Sequence, residues 1–285
     1  MPKVSVIILT YNSSAYISEL IKSIKEFNPD GSSFEIIVVD NLSTDDTLVK
    51  LKPFESEITI KKNEKNLGFA GGINEGAKIA KGDYLLFINP DTQFKKGNIW
   101  DMISVFEKFG NAGVVGGKLT DKNGNAEKSA GRFFGLFEIL LMTLGLDEVF
   151  GVRFSPNKIT SVDFVSGGFM MVKKEVFKKL NGFDENFFMY VEDVDFCKRA
   201  SENGYKTYFT PDVSLIHSSH GSSNRSFAIE NIYKGIFYYT KKHGNILSVV
   251  LVKLMLKFKA VLIVIIAKIL NNNNLRDTYK KAMKV

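Results

Sequence analysis

Short β-branched and aliphatic runs at 4–10, 34–39, 58–61 and 84–88 alternate with stretches of helical spacing over the first hundred residues. Each run is nearly continuous in apolar character, as expected of a strand buried on both faces. Over 15–27, Ile17, Leu20, Ile21, Ile24 and Phe27 share one helical face, with Ser13 or Ser14 placed as the cap. Ser43 or Thr44 can cap the next helix, whose first turn carries Asp45 and Asp46 where the dipole favours acids. A further helix is expected over 70–80. Repeated strand–helix units predict an α/β domain with a mostly parallel central sheet flanked by helices.

The second half is less regular. Residues 112–118 read as a strand and 120–125 as a turn. The aromatic and aliphatic stretch 131–150 fits either a helix or a mobile cover. Residues 162–172 read as a strand broken by Gly167 and Gly168, where backbone can approach a ligand closely. A helix over 193–203 ends at Gly204. The chain is apolar over 246–267, but Lys253, Lys257 and Lys259 interrupt it. A bilayer-spanning helix needs about 20 mostly apolar residues, so a span is disfavoured. Lys253 and Lys257 share a face, which suits a helix lying on anionic lipid; packing on the domain or in a homo-oligomer is the alternative.

Charge sharpens that reading. Net charge is +7, yet residues 1–240 carry 28 basic against 30 acidic groups, and 241–285 carry ten basic groups against Asp277 alone. The basicity belongs to the tail, which argues against a nucleic-acid groove across the body and for an anionic surface met by the C-terminus. The single cysteine, Cys197, excludes an internal disulfide and reads as a helical core thiol. No basic region precedes a long apolar stretch at the N-terminus, so the expected location is the cytosol or the cytosolic face of a membrane.

Three acidic clusters carry the candidate chemistry: Asp40, Asp91, and the pair Glu192 and Asp193. The first two follow apolar runs and so sit where strands open into loops, at the sheet edge where open α/β folds bind ligands. Thr10, Tyr11 and Asn12 share that edge. Asp40 can accept hydrogen bonds from a nucleobase or ribose, or simply form a turn with Asn41 and Ser43. Asn66, Gly68, Gly71 and Asn74 lie in a glycine-rich helix start that admits a phosphate or sugar, or tight packing. Asn89 can anchor the turn that presents Asp91, the best ligand for Mg²⁺ or Mn²⁺. His217 is a second candidate ligand and His220 the next. Glu192 or Asp193 can act as general base on an acceptor hydroxyl, the other pointing elsewhere on the helix, with Asp195 in support.

Read together, these segments resemble the inverting family 2 glycosyltransferases of GT-A fold, especially rhamnosyltransferase-like members that build bacterial surface polysaccharides. The resemblance spans about 4–223 and rests on VSVIILTYN (4–12), VVDNLSTDD (38–46), NLGFAGGIN (66–74), INPD (88–91), SGGF (166–169), GFDENFF (182–188) and EDVDF (192–196). It implies a catalytic domain over 1–223, its nucleotide-sugar half at 1–118 and its acceptor half at 119–223, followed by a helical, basic and apolar extension over 224–285. By resemblance, Thr10, Tyr11 and Asn12 line the nucleotide pocket and Asp40 contacts the base. Asp91 closes the metal motif, with Asn89 where many members carry aspartate. Asp193 matches the catalytic base, and His217 matches a histidine that completes metal coordination in some relatives. The implied reaction displaces a nucleoside diphosphate from an activated sugar with inversion. The family leans to dTDP-L-rhamnose as donor; UDP-linked galactofuranose, glucose or N-acetyl sugars are alternatives. The implied acceptor is a glycan, lipid-linked or growing, which agrees with a basic, apolar C-terminus at the cytoplasmic face of the membrane. Two other classes compete: a nucleotidyltransferase, which would want an early basic phosphate loop that 10–14 does not supply, and an inactive glycan-binding assembly protein.

Overall fold

The computed structural model describes residues 3–29, 33–218 and 225–284. Strands β1 (Val4–Thr10), β2 (Phe34–Asp40), β3 (Ile58–Lys62) and β4 (Tyr84–Ile88) run parallel in the order β3-β2-β1-β4. Successive side chains of a strand face opposite ways. Val4, Val6 and Ile8 therefore join the core built with α1 (Ile17–Phe27) and α4 (Ile99–Lys108), while Ile7 joins the core built with α3 (Gly68–Ile79). Burial on both faces explains the unbroken apolar runs.

Beyond β4 the sheet changes character. β11 (Phe169–Lys173) inserts antiparallel between β4 and β6 (Ala112–Thr120). β12 (Lys206–His217) lies parallel to β6 and antiparallel to both β9 (Thr160–Val162) and the edge strand β5 (Thr92–Lys96). Three two-residue strands, β7 (Ala130–Gly131), β8 (Arg153–Phe154) and β10 (Phe164–Val165), form a small antiparallel sheet in the order β10-β7-β8. The result is the expected mostly parallel, curled sheet of GT-A type flanked by helices. The broken strand expected over 162–172 is thus the end of β9 followed by β10 and β11, the last two in different sheets and separated by a turn at Ser166, Gly167 and Gly168.

The ambiguous 131–150 segment contains α5 (Leu136–Leu144). The C-terminal helices α8 (Arg225–His243), α9 (Ile246–Ile269) and α10 (Asn273–Ala282) are built onto the domain. Tyr233, Ile236 and Tyr239 of α8 share a core with Val194 and Phe196 of α7 (Glu192–Glu202).

Two expected helix caps are corrected. The helix after β1 starts at Ile17 without a side-chain cap, because Ser13 instead donates its N–H to Thr47 Oγ1 at 2.7 Å and pairs with Tyr11. After β2 the helix α2 starts later than expected (Thr47–Leu51). Ser43 Oγ accepts from Asn12 N–H at 2.9 Å, and Asp45 accepts the N–H of Thr47 at 2.9 Å. The serines tie two sheet-edge loops together rather than closing helix ends.

Phe183 sits at the centre of an aromatic cluster, with ring centroids 5.9 Å from Phe69, 5.4 Å from Phe87, 5.5 Å from Phe177 and 5.3 Å from Phe196. This cluster joins α3, β4, α6 (Lys174–Lys179) and α7 through one buried side chain. Phe183→Ala is expected to lower unfolding free energy by about 3–5 kcal/mol, through lost burial and the cavity left behind. Urea titration followed by circular dichroism measures it, and a loss below about 1 kcal/mol would show that the site collapses without cost.

Candidate active site

The carboxyl ends of β1 and β2 are closed by a polar lattice. Asp40 is buried, accepting from Thr10 Oγ1 at 3.2 Å and from Ser43 N–H at 3.0 Å. Asn12 adopts a left-handed backbone (φ 53°) and its Oδ1 accepts from the N–H groups of Thr44 and Asp45. Thr10, Asn12 and Asp40 thereby fix the two loops against one another, while Tyr11 is exposed beside them.

Asn41, adjacent to Asp40, organises the next loop. Its Nδ2 donates to Gly68 O at 2.9 Å and Asn66 Oδ1 at 3.2 Å, and its Oδ1 accepts from Asn63 Nδ2 at 2.8 Å. Asn66 Oδ1 also accepts the N–H of Gly68 at 2.9 Å. Gly68 has φ +71°, and a Cβ there would collide with the carbonyl oxygen of Phe188, which accepts the N–H of Phe69 at 2.7 Å. A Cβ on Gly71 would lie 2.9 Å from Leu67 Cβ. Asn74 donates to Phe183 O and Glu185 Oε1, engaging both amide hydrogens, and accepts from Phe183 N–H. Tight packing is thus what the glycine-rich helix start visibly achieves: it seats the 182–188 loop.

On the other side, β12 delivers His217 opposite Thr92 at the start of β5. The strand shifts register between Thr210 and Ser214, which lets it serve β6 and β5 in turn. His217 Nε2 lies 3.4 Å from Asp91 Oδ2, and Nδ1 lies 2.8 Å from Glu127 Oε2. Burial opposes the imidazolium, but hydrogen bonds and charge from Asp91 and Glu127 reverse that and raise its pKa to about 10. Among the described residues no group of three or more His, Cys, Asp or Glu side chains is arranged to hold a metal ion. Asp91, His217 and Glu127 form a row with the ring in the middle, so the two carboxylates do not converge on one point. Asp91 and His217 Nε2 do face each other, as a pair of oxygen and nitrogen donors suited to Mg²⁺ or Mn²⁺ would. His220 lies outside the described residues.

The two acidic sides meet at Gly167 and Gly168. Gly167 N–H donates to Asp193 Oδ2 at 2.9 Å, and Gly168 O accepts from Asn89 N–H at 3.0 Å. A Cβ on Gly168 would stand 2.6 Å from Asn89 Nδ2. One dipeptide therefore joins the turn bearing Asp91 to the carboxylate of Asp193.

Glu192 and Asp193 have divided fates. Glu192 is 5% exposed, and its Oε2 is buried without a hydrogen-bond partner. Burial, and then the charge of Asp193, push its pKa well above the ordinary glutamate value. Burial raises Asp193 as well, but N–H donors from Gly167 and Val194 and the nearby Arg153 guanidinium support its carboxylate. Of the pair, Glu192 is the more strongly biased toward its protonated form. Asp195 is fully buried, with Arg199 Nε, Lys242 Nζ and His243 Nε2 each at 2.8 Å.

Sequence reasoning did not find Glu127, Arg153 or the pairing of Asp195 with Lys242 and His243. The only signal among them was the i,i+4 spacing of Asp195 and Arg199. Glu127 comes from a loop and Arg153 from a two-residue strand, neither of which periodicity addresses.

Residues 5–181 match the model of glycosyl transferase family 2. The chain belongs to that family. Residues 155–221 also match a model described as the N-terminal domain of galactosyltransferase. Among characterised relatives, the chain is 30% identical over 234 residues to rhamnosyltransferase WbbL of Escherichia coli (strain K12), covering 79% of this chain and 86% of that one. It is 24% identical over 244 residues to the N-acetylglucosaminyl-diphospho-decaprenol L-rhamnosyltransferase of Mycobacterium tuberculosis, covering 77% of each. Among solved structures, S. aureus TarS 1–349 superposes with TM-score 0.56 at 18% identity, covering 99% of this chain and 90% of that one. GalNAc-T7, solved with UDP, GalNAc and Mn²⁺, superposes with TM-score 0.63 at 15% identity, covering 85% of this chain and 48% of that one. These structures share the fold. The chain is a nucleoside-diphosphate-sugar-dependent glycosyltransferase, and the nucleotidyltransferase reading does not fit this family.

The neutral Glu192 makes a pH prediction. Its folded pKa is raised, so the stability tied to its proton is complete below the ordinary value near 4.5 and drains as pH rises through the raised value. Glu192→Gln keeps the shape without the titration. Its Tm relative to wild type is expected to increase from pH 5 to pH 8 in differential scanning calorimetry; a pH-independent difference would mean that Glu192 is already ionised in the fold.

Proposed function

We propose that this glycosyltransferase is inverting and moves L-rhamnose from dTDP-L-rhamnose to a hydroxyl of a lipid-linked or growing cell-surface polysaccharide at the cytoplasmic face of the membrane. The observation that carries the catalytic part is the Gly167–Gly168 dipeptide, which puts Asp193 and the Asn89–Asp91 turn at one end of the sheet. The sugar and acceptor are supported by the two rhamnosyltransferases, each similar over more than three quarters of this chain, one of them named for a diphospho-decaprenol acceptor. A UDP-sugar of another kind is the second reading, favoured by the similarity of 111 residues, at 34% identity, to a poly(ribitol-phosphate) beta-N-acetylglucosaminyltransferase.

On this reading residues 1–118 hold the donor and 119–223 the acceptor. Tyr11 is free to face the base at the edge fixed by Thr10, Asn12 and Asp40. Asn66, Gly68, Gly71 and Asn74 act through the loops they pack, and Asn89 sets the turn beneath the diphosphate. Asp91 and His217 would hold Mg²⁺ or Mn²⁺, with Glu127 orienting the imidazole through Nδ1. The ion, when bound, supplies charge neutralisation for the leaving diphosphate. Asp193 takes the proton of the acceptor hydroxyl as it attacks the anomeric carbon, and its burial tunes it toward that work. Glu192 stays neutral behind it and keeps a second negative charge away from the base.

Asp193→Asn is expected to keep donor affinity by calorimetry while lowering turnover about 10²–10⁴-fold; undiminished turnover would remove it as base. Asp91→Ala is expected to weaken donor binding in the presence of Mn²⁺ and to leave metal-free binding little changed. A panel of nucleotide sugars, read by release of nucleoside diphosphate with and without Mn²⁺, tests donor and metal together. Release from a UDP-sugar alone would replace the rhamnose reading, and binding without release from any donor would favour an inactive assembly protein.

A further inference from the structure

The described residues expose 23 large apolar side chains, and 17 of them fall on two segments, 137–150 and 246–270. A soluble monomer seldom exposes a contiguous apolar patch beyond about 300–600 Å². The arrangement on α9 is ordered. At about 100° per residue, buried Val252, Leu256, Ala260, Val264 and Ala267 form one stripe against the domain. Leu247, Leu254, Phe258, Val261, Ile265 and Ile269 form another, exposed and nearly opposite. No lysine interrupts that outer stripe.

The lysines sort to its two borders. Lys253, Lys257 and Lys268 lie along one border, where α10 packs and where Lys253, Lys257 and Ala282 line a common crevice. Lys259 lies on the other, and its Nζ donates to Met142 O at 2.6 Å, tying α9 to the end of α5. That lysine is thus satisfied inside the protein and does not break the apolar surface. Past it the surface continues onto Phe137, Leu140 and Leu144 on one face of α5, then onto Val149 and Phe150. No described helix is long and apolar enough to cross a membrane.

We propose that these two segments form a single platform that docks on an anionic lipid bilayer and presents membrane-borne acceptor to Asp193. Two features select this occupant. Residues 241–285 carry ten basic groups against Asp277 alone, and although Lys242 is paired with Asp184 and Asp195 and Lys259 is bound to Met142 O, the basic excess that is left complements anionic headgroups. A second copy docked on the same patch by a two-fold axis would bring two such basic borders together. The platform also reaches the site. Segment 137–150 runs straight into β8, where Arg153 comes near enough to Asp193 to favour its carboxylate. β8 pairs with β7 and β7 with β10, the strand that leads into Gly167. An amphiphilic acceptor whose lipid stays in the bilayer would meet the base at the platform's edge. The acceptor part rests on the transfer reading above; the docking part does not.

The test uses the full chain, phosphatidylcholine vesicles with and without phosphatidylglycerol, and two variant pairs: Leu140→Glu with Phe150→Glu, and Phe258→Glu with Ile265→Glu. Wild type is expected to float with the anionic vesicles. Each pair is expected to cut flotation roughly tenfold or more, with unchanged thermal melting and unchanged mass by light scattering. Turnover of an acceptor anchored in the vesicles should fall with flotation, and turnover of a water-soluble acceptor should not. Flotation that survives the Leu140/Phe150 pair would overturn the two-segment platform. Equal flotation on neutral vesicles would overturn the anionic specificity. A wild-type oligomer that either pair dissociates would make the face a subunit interface instead. If no donor is turned over, flotation still reads the platform, so failure of the transfer reading and failure of the docking reading stay distinct.

Discussion

Two backbone hydrogen bonds to one glycine dipeptide set the relation between the acidic groups of this protein. Gly167 N–H holds Asp193, and Gly168 O holds the backbone of Asn89 two residues before Asp91. Each bond contributes only about 1 kcal/mol to stability, yet the pair ties Asp193 to the turn that bears Asp91, the relation the proposed reaction needs. Both glycines are closely packed, Gly168 the more tightly. A Cβ on Gly167 would stand 3.1 Å from the ring of Phe69 and 3.4 Å from Asp193 Cβ, and one on Gly168 would press on the Asn89 amide. The switch from the small sheet to the large one occurs at this point because the backbone can pass there without side chains.

Asp193 is positioned from the far side by strain and by charge. Tyr190 and Val191, immediately before Glu192, both adopt left-handed backbone, with φ 68° and 74°. Such conformations cost about 1–2 kcal/mol each for residues with a Cβ, and more is expected of a β-branched side chain. The turn persists because its surroundings leave it no alternative. Val191 is buried, and Gly235 of α8 fits against it so closely that a Cβ would lie 2.8 Å from Val191 Cγ2 and 2.9 Å from Tyr190 O. One turn further along α7, Asp195 is gripped by Lys242 and His243 at the end of the same α8. Lys242 also holds Asp184 at 2.7 Å, on the loop that Asn74 clamps from the other side. The C-terminal extension is therefore part of the scaffold that orients Asp193.

The parallel half of the fold was legible because its signal is local. Runs such as 84–88 are buried on both faces and bounded by polar turns, so pattern alone defines the strand. Asp40, Asp91 and Asp193 were legible as sheet-edge or helix-start carboxylates for the same reason. What sequence could not supply was pairing across distance. β5 is an ordinary polar–apolar edge strand, and only its register with β12 shows that His217 stands over Asp91. Glu127 follows a turn with no periodicity, and its partnership with His217 arises from 90 residues of intervening chain. Serines 13 and 43 illustrate the reverse error. Their positions suit caps by local chemistry, but Ser43 Oγ is taken by the Asn12 N–H of the facing loop and Ser13 Oγ by Tyr11 of its own.

The division of charge across the cleft follows from these supports. Asp193 is stabilised by backbone N–H groups and lies beside a neutral glutamic acid, so it can accept a proton without a counter-ion bound tightly to it. Were Glu192 ionised, two adjacent buried carboxylates would repel, and the lost ionisation would fall on one of them. On the opposite side the carboxylates of Asp91 and Glu127 favour a proton on His217, which a cation bound at Nε2 would displace, and the row stays net negative either way before that cation arrives. That row attracts positive charge, whereas the base side repels none it needs. A nucleoside diphosphate, itself anionic, can approach such a row only with a cation or with loss of negative charge. On the proposed reading, donor and cation would therefore arrive together on the Asp91 side, and a neutral hydroxyl on the Asp193 side.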